Sequence, residues 1–230
     1  LSTISMNCFF RGQANEKWGL SSSLERFGQS INRDNYESWV DLEKKLYRDF
    51  IGHSRPHMDF IPSNPIEWLV QAQHHGLPTS LLDWSTNPLK ALFFAVEPSS
   101  HDMADASVHY AAGHIYSTDD VMIKRKDQND DVFCFQPIHM NERILAQEGC
   151  LISYPVPETF GAFASLSATG DTDHVADVVV WDKIIIPRDS KASIRKELAI
   201  LGITKRTMYP GLDSVTESIK RRILDEPIWS

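Results

Sequence analysis

The sequence contains few cysteines and no long apolar run. Its three cysteines, Cys8, Cys134 and Cys150, are too few and too scattered for a disulfide framework, and no Cys-x-x-Cys pair offers a zinc site. No apolar run reaches the roughly 18 residues of a membrane span, and no basic-then-apolar leader opens the chain. These absences predict a cytoplasmic protein with no metal and no membrane partner. Because the first residue is Leu rather than Met, we expect the natural chain to begin further upstream.

The chain also lacks a basic excess and the phosphate-binding motifs of common enzymes. A net charge of −8 argues against sequence-blind binding to nucleic acid through overall charge, although a local basic site stays open. No Gly-x-Ser-x-Gly elbow, P-loop or Gly-x-Gly-x-x-Gly is present, which removes the commonest hydrolase, NTPase and dehydrogenase interpretations. A metal-dependent nuclease ranks last, because the spacing of the carboxylates assembles no cluster.

What is present is an ordinary globular composition without internal division. The 230 residues are 42% hydrophobic and 23% charged, and neither a repeat nor a low-complexity linker separates them. We therefore predict one mixed α+β domain over residues 1–230, with a central sheet flanked by early and late helices.

Hydrophobic periodicity predicts the individual elements. Helices are expected over Tyr36–Phe50, Ile66–His75, Leu89–Val96, Lys191–Leu201 and Leu212–Leu224. Strands are expected over Cys8–Phe10, Gly113–Tyr116, Val132–Gln136, Leu151–Val156 and Val178–Ile186. The segment Ser99–Ser107 is polar and expected to be exposed, Glu142–Gln147 fits no single element, and Phe160–Asp173 has the small residues of a mobile loop.

One polar block stands directly beside the most apolar helix. The run from Gln73 to Ser85 contains His, Thr, Asp and Ser side chains, and each of these costs a few kcal/mol if buried without a partner. A segment serving only the core has little reason to hold them. The block is therefore interpreted as the wall of a pocket.

Arg11 follows a short apolar strand and precedes a glycine. A planar, permanently charged guanidinium at such a strand end suits a phosphate or pyrophosphate, while Gly12 lets the backbone approach closely. The alternative is a structural arginine paired with one of the 31 acidic residues.

The remaining candidates also have structural alternatives. His74 lies at a helix end, where a cap or a surface role is the common one. In an extended segment Asp83 and Ser85 share one face, and Asp83 could instead cap the next helix. Gln147 and Glu148 precede a glycine that permits a tight turn, so either could reach a ligand, although a solvated surface carboxylate is the default.

Several motifs together resemble the FRG domain, named for its Phe-Arg-Gly signature. The resemblance covers nearly the whole chain, and Ser80 stands where the family usually carries Arg. The residues that carry it are Phe10-Arg11-Gly12-Gln13, Trp18, Leu20 to Arg26, Trp68 to Val96, Arg143-Ile144-x-Ala146-Gln147-x-Gly149, Pro187, Lys191, Glu197-Leu198, Gly202-Ile203 and Tyr209-Pro210-x-Leu212-Asp213.

The order of these motifs is similar to the Arg, Ser and Glu order of ADP-ribosyltransferases. That resemblance implies an ADP-ribosyltransferase-like fold and NAD as a substrate, with aromatic residues stacked on the nicotinamide. It implies that Arg11 holds the NAD phosphates, that Ser85 or Thr79 fixes the nicotinamide ribose and that His74 hydrogen-bonds a ribose hydroxyl. Gln13 is a further residue expected to bind NAD. The catalytic carboxylate is then Glu148, or Asp83 as second choice, with Gln147 orienting the acceptor.

The resulting expectation is transfer of ADP-ribose to a macromolecule, with nucleic acid favoured over protein. The resemblance implies a toxin or antiviral defence role, and with it an antitoxin or regulatory partner. A binding or sensing module that uses the same pocket without chemistry is the alternative from another functional class.

Overall fold

The computed structural model describes residues 7–126, 132–137, 142–163 and 178–223. They form an α+β fold in which one seven-stranded mixed sheet is flanked by helices. The strands are β1 (Asn7–Gln13), β2 (Leu81–Ser85), β3 (Ala106–Gly113), β4 (Ile115–Tyr116), β5 (Phe133–Phe135), β6 (Gly149–Ser153) and β7 (Val178–Ile186). The helices are α1 (Ser23–Gly28), α2 (Trp39–Ser54), α3 (Pro65–His74), α4 (Pro88–Val96), α5 (Thr118–Lys126), α6 (Glu142–Ala146), α7 (Lys191–Ile200), α8 (Lys205–Met208) and α9 (Leu212–Ile223).

The sheet is divided at its centre. Its strand order is β4-β5-β6-β2-β1-β3-β7, and all neighbours are antiparallel except β4 and β5. Strand β1 pairs with β3 over its whole length, from Asn7 opposite Gly113 to Gln13 opposite Ser107. It pairs with β2 at a single position, Phe10 opposite Ser85. The two central strands therefore part on either side of that position.

Helix starts follow the local sequence. Side chains of Ser22, Ser38, Asn64 and Asn87 accept backbone N–H groups in the first turns of α1 to α4, which satisfies donors that have no partner inside the helix. Proline occupies the first position of α3 and of α4, where its missing N–H costs nothing. The capping residue of α4 is Asn87, so the expectation that Asp83 caps this helix is wrong.

Helix α4 packs directly on β1 because position 12 has no side chain. A Cβ atom at Gly12 would stand 1.8 Å from the carbonyl oxygen of Ala91 and 2.7 Å from the backbone nitrogen of Ala95. The buried Ala91, Ala95 and Phe93 of the helix pack with β3 and α7 in one cluster of the core. This close approach holds β1 directly against α4.

The predicted fold class is confirmed, and so are the five predicted helices to within a few residues at each end. Strand β7 has the predicted bounds, whereas β3 begins seven residues before the predicted Gly113 and takes in the end of the segment expected to be polar and exposed. The undecided segment contains α6. The predicted loop Phe160–Asp173 lies outside the described residues after Phe163. Within the described ranges, no helix is both long enough and apolar enough to span a bilayer.

Candidate functional site

A cleft of about 380 Å³ lies at the division between β1 and β2. This volume falls in the range of small-molecule sites, which are usually apolar concavities with a few polar groups. We call it the central cleft. It is lined by Phe10, Arg11, Gly12, Gln13, Ala14, Trp18, Val70, Gln73, His74, Asp83, Trp84, Ser85, Ala91, Phe94, Pro137, Arg143, Ile144, Gln147, Gly149, Cys150, Leu151 and Tyr209.

Arg11 bridges the two parted strands. Its Nη1 donates a hydrogen bond of 2.5 Å to the backbone carbonyl of Asp83. Its Nε has no contact with solvent and no hydrogen-bond partner in the described residues. Burial lowers the pKa of Arg11, and the charge of Asp83 opposes that shift. The result is a partly buried cation at the wall of the cleft, a group that an anionic ligand would pair with.

Asp83 is the only acidic residue among those that line the central cleft. Its Oδ1 accepts a hydrogen bond of 2.7 Å from Nε2 of Gln73. The Oε1 of Gln73 in turn accepts from the hydroxyl of Thr79, which is fully buried. Thr79 itself does not line the cleft. It orients Gln73, and Gln73 orients the carboxylate of Asp83.

His74 is the last residue of α3 and lines the same cleft. Burial is the largest cause that lowers the pKa of His74. The charges of Arg143 and His75 lower this pKa further, and the charge of Asp83 opposes them. Because the ordinary pKa of histidine is about 6.5, this imidazole is neutral at pH 7. A neutral imidazole can both donate and accept a hydrogen bond.

Ser85 joins the end of β2 to the turn that follows α6. Its hydroxyl donates a hydrogen bond of 2.7 Å to the carbonyl of Gln147 and accepts one of 3.1 Å from the backbone N–H of Asn87. Gln147 also lines the cleft, and its Nε2 donates to the carbonyl of Met208 at 3.1 Å. Both side chains therefore reach the cleft while they hold its wall together.

Glu148 is exposed and does not line the central cleft. It adopts a left-handed backbone conformation, with φ of 45°, and its carboxylate pairs with Nζ of Lys90 at 2.8 Å. Asn87 donates a further hydrogen bond of 3.3 Å to the same oxygen. The hydrogen bond from Lys90 lowers the pKa of Glu148. This position weighs against Glu148 as the catalytic carboxylate and favours Asp83.

Gln13 lies buried at the inner end of the cleft. Its Nε2 donates to the carbonyl of Gly19 at 3.1 Å, and its Oε1 is 3.0 Å from Nε2 of His109. Because this oxygen can only accept, His109 donates from Nε2. Burial lowers the pKa of His109 to about 4, so the ring is neutral. Gln13 therefore connects β3 to the loop that follows β1.

Sequence reasoning named none of four further lining residues as a ligand-binding or catalytic residue, although one of them, Gln73, begins the block interpreted as a pocket wall; the four are Trp18, Gln73, Arg143 and Tyr209. The guanidinium of Arg143 lies 4.9 Å from the ring centre of Tyr209, so two distant segments close one side of the cleft. Each of the four residues belongs to a motif that supported the resemblance, and that membership was the available signal. No pattern in the sequence indicated that they face one cavity.

Among the described residues, no three His, Cys, Asp or Glu side chains come together as a metal site. A comparison with family models matched residues 6–104 to the FRG domain. This match confirms the predicted resemblance to the FRG domain family for residues 6–104 of the chain. The matched segment of the FRG domain contains Arg11, His74 and Asp83, whereas Gln147 lies beyond it. No curated protein and no solved structure matched the chain.

Proposed function

We propose that this FRG protein is an NAD-dependent ADP-ribosyltransferase that modifies a macromolecule and acts in the cytoplasm. One observation carries the proposal: Arg11, His74, Asp83, Ser85 and Gln147, which come from three distant parts of the sequence, line one cleft of about 380 Å³. Such a cleft with a few convergent polar groups is the default ligand site of a protein.

The charges in the cleft support a ligand that contains phosphate. Arg11 places a guanidinium group at the wall of the cleft, and Arg143 is a second cation among the residues that line it. Guanidinium groups bind phosphate with charge-assisted hydrogen bonds. We assign the pyrophosphate of NAD to Arg11 and a second anionic contact to Arg143.

Asp83 is the group we assign to catalysis, in place of Glu148. Transfer breaks the bond between C1′ of the ribose and the nicotinamide nitrogen, and nicotinamide leaves with the bonding electrons. A nucleophilic oxygen or nitrogen of the acceptor forms the new bond to C1′ and loses its proton. The carboxylate of Asp83 would stabilise the positive charge at C1′ or accept that proton, and neutral His74 would hydrogen-bond a ribose hydroxyl.

Nucleic acid is the acceptor class we favour, with protein as the alternative, and the setting we propose is a toxin or antiviral defence system with a neutralising partner. Both statements rest on the resemblance of the motif order to that of ADP-ribosyltransferases. The basic clusters at 124–126 and 220–222 offer no further support, because most of their side chains lie outside the described part of the chain.

A binding or sensing module is the second candidate, and a specific observation favours it. The carboxylate nominated by motif order, Glu148, is paired with Lys90 outside the cleft, and among the described residues that line the cleft only Asp83 carries a carboxylate. If Asp83→Asn kept full biological activity while Arg11→Ala abolished it, recognition without chemistry would be the better account.

The experiment that tests transfer uses the purified chain, NAD labelled in the ADP-ribose part, and separate pools of RNA, DNA and protein. We expect label in one pool together with an equal amount of released nicotinamide. Asp83→Asn should abolish both products, and Glu148→Gln should keep them as the matched carboxylate control. Absence of label and of nicotinamide with every pool, including an extract that contains the natural target, would refute the proposed activity.

A further inference from the structure

Trp18 is an exposed aromatic residue at the wall of the central cleft. It lies on the loop of residues 14–22 between β1 and α1, and 43% of it is accessible to solvent. Its indole packs edge-on against the ring of His101, with 4.7 Å between the ring centres. Within the described residues, His101 is the one ring that contacts it. Trp18 also lines the central cleft, so part of its surface is open there.

A buried lysine, Lys191, hydrogen-bonds both the loop that carries Trp18 and the residue against which Trp18 packs. Lys191 is only 2% exposed, and its Nζ donates to the carbonyl of Ala14 and to that of His101, both at 3.0 Å. Ala14 begins the loop that carries Trp18, and His101 is the residue against which Trp18 packs. Burying an ammonium group costs several kcal/mol unless its hydrogen bonds are satisfied. The two hydrogen bonds of Lys191 offset that cost and join the loop that carries Trp18 to His101.

Three further contacts anchor the same loop. The backbone N–H of Glu16 donates to the carbonyl of Asp105 at 2.7 Å, and Nζ of Lys183 donates to the carbonyl of Glu16 at 2.7 Å. The Nε2 of Gln13 donates to the carbonyl of Gly19 at 3.1 Å. Surface loops are ordinarily among the more mobile parts of a protein. This one is tied to β3, β7 and α7 along its length and still presents its largest apolar side chain to the cleft.

We propose that Trp18 is the platform on which the heteroaromatic base of the bound nucleotide stacks, and that Lys191 is the positioning residue of this platform. Exposed indole is unfavourable in water, and aromatic side chains that line ligand sites regain that cost when a planar ring covers them. Trp18 follows the phosphate-facing Arg11 by seven residues on the same wall, which suits a base attached through a sugar to a phosphate. The inference rests on the proposed function, because it requires a nucleotide in the cleft.

The test measures dissociation constants by calorimetry for the full chain with NAD, AMP and nicotinamide mononucleotide. Stacking of one base on an aromatic side chain contributes about 1–3 kcal/mol, so Trp18→Ala should weaken NAD binding by about tenfold or more. Trp18→Phe, which keeps a ring, should retain most of the affinity. The mononucleotide that loses affinity in Trp18→Ala identifies the base, purine or pyridine, that stacks there.

Lys191 is tested through its coupling to Trp18. Lys191→Met should weaken NAD binding in the native background and cause no further loss in the Trp18→Ala background, because both changes remove the same contact. A merely structural lysine would give additive losses. Additive losses would overturn the positioning role of Lys191, and equal dissociation constants for Trp18→Ala and the native chain would overturn the platform.

The outcomes separate this inference from the proposed function. Tight NAD binding that is unchanged by Trp18→Ala overturns the platform and leaves ADP-ribosyl transfer intact. Nucleotide binding that depends on Trp18, with NAD never consumed in any acceptor pool, overturns transfer and supports the platform. Failure of all three nucleotides to bind overturns both.

Discussion

Replacement of Arg11 by methionine tests whether this arginine binds a ligand or stabilises the fold. The half-buried Arg11 donates one hydrogen bond to the carbonyl of Asp83, and its Nε has no partner in the described residues. A charge-assisted hydrogen bond contributes about 1.5–3 kcal/mol. The effective cost of desolvating a buried ion is several kcal/mol. Arg11→Met loses the contribution of the hydrogen bond and recovers the cost of desolvating the guanidinium.

These opposing quantities predict a small net effect on stability. The free energy of unfolding of Arg11→Met should lie within about 1 kcal/mol of the native value, measured by urea unfolding at pH 7. An arginine held for structure would instead cost about 3–5 kcal/mol on removal. Arg48→Met, at an exposed position of α2, is the matched control.

The same variant must lose the effect of the ligand. NAD at about 100 times its dissociation constant stabilises a protein that binds it by about 2.7 kcal/mol. We expect that increment for the native chain and for Arg48→Met, and none for Arg11→Met. A loss of several kcal/mol in the free energy of unfolding of Arg11→Met without NAD would contradict a ligand-binding role for Arg11. So would stabilisation of Arg11→Met by NAD that equals that of the native chain.

Three other predictions concern the surroundings of the cleft. Thr79→Val removes the hydroxyl that orients Gln73, so the rate of ADP-ribosyl transfer should fall about tenfold with an unchanged KM for NAD, whereas Thr79→Ser should keep the rate. Steady-state kinetics measures both variants, and equal rates would contradict the role of this hydroxyl. Gly12→Ala forces a methyl group into the backbone of α4 and should cost about 2 kcal/mol or more, whereas Gly52→Ala inside α2 should gain about 0.5–1 kcal/mol, both read from urea unfolding. Burial lowers the pKa of His109 to about 4, so on acidification the unfolded chain binds a proton at His109 before the folded chain does. The free energy of unfolding should therefore fall by about 3 kcal/mol from pH 6.5 to pH 4, and it should fall less in His109→Gln. Equal slopes of the free energy of unfolding against pH in the two proteins would contradict this prediction.

The elements that sequence reasoning found are those with a regular apolar period. Helix α2 has Trp39, Leu42 and Leu46 on its buried side, and the capping residues confirm where its neighbours begin. Strand β3 was largely missed because Ala106, Ser107 and His109 are small or polar, although all three are buried. Burial on both sides of a central strand removes the alternation that reveals a half-exposed one.

The site was accessible from the sequence only as a set of motifs. Arg11, His74 and Asp83 were nominated because residues of that chemistry stood beside apolar elements, and the structure brings them to one cleft. Glu148 and Gln147 are adjacent in sequence, yet only Gln147 lines the cleft, because Glu148 adopts a left-handed conformation and pairs with Lys90. The direction of a side chain in a tight turn depends on backbone angles that no spacing rule supplies.

The most direct measurement is a crystal structure of the full chain with bound NAD or a non-hydrolysable analogue. We predict that the pyrophosphate accepts a hydrogen bond from the guanidinium group of Arg11, that one base lies on Trp18, and that C1′ of the nicotinamide ribose lies within reach of the Asp83 carboxylate. NAD bound elsewhere on the surface, or bound in the cleft without a contact to the Arg11 guanidinium, would contradict the proposed function.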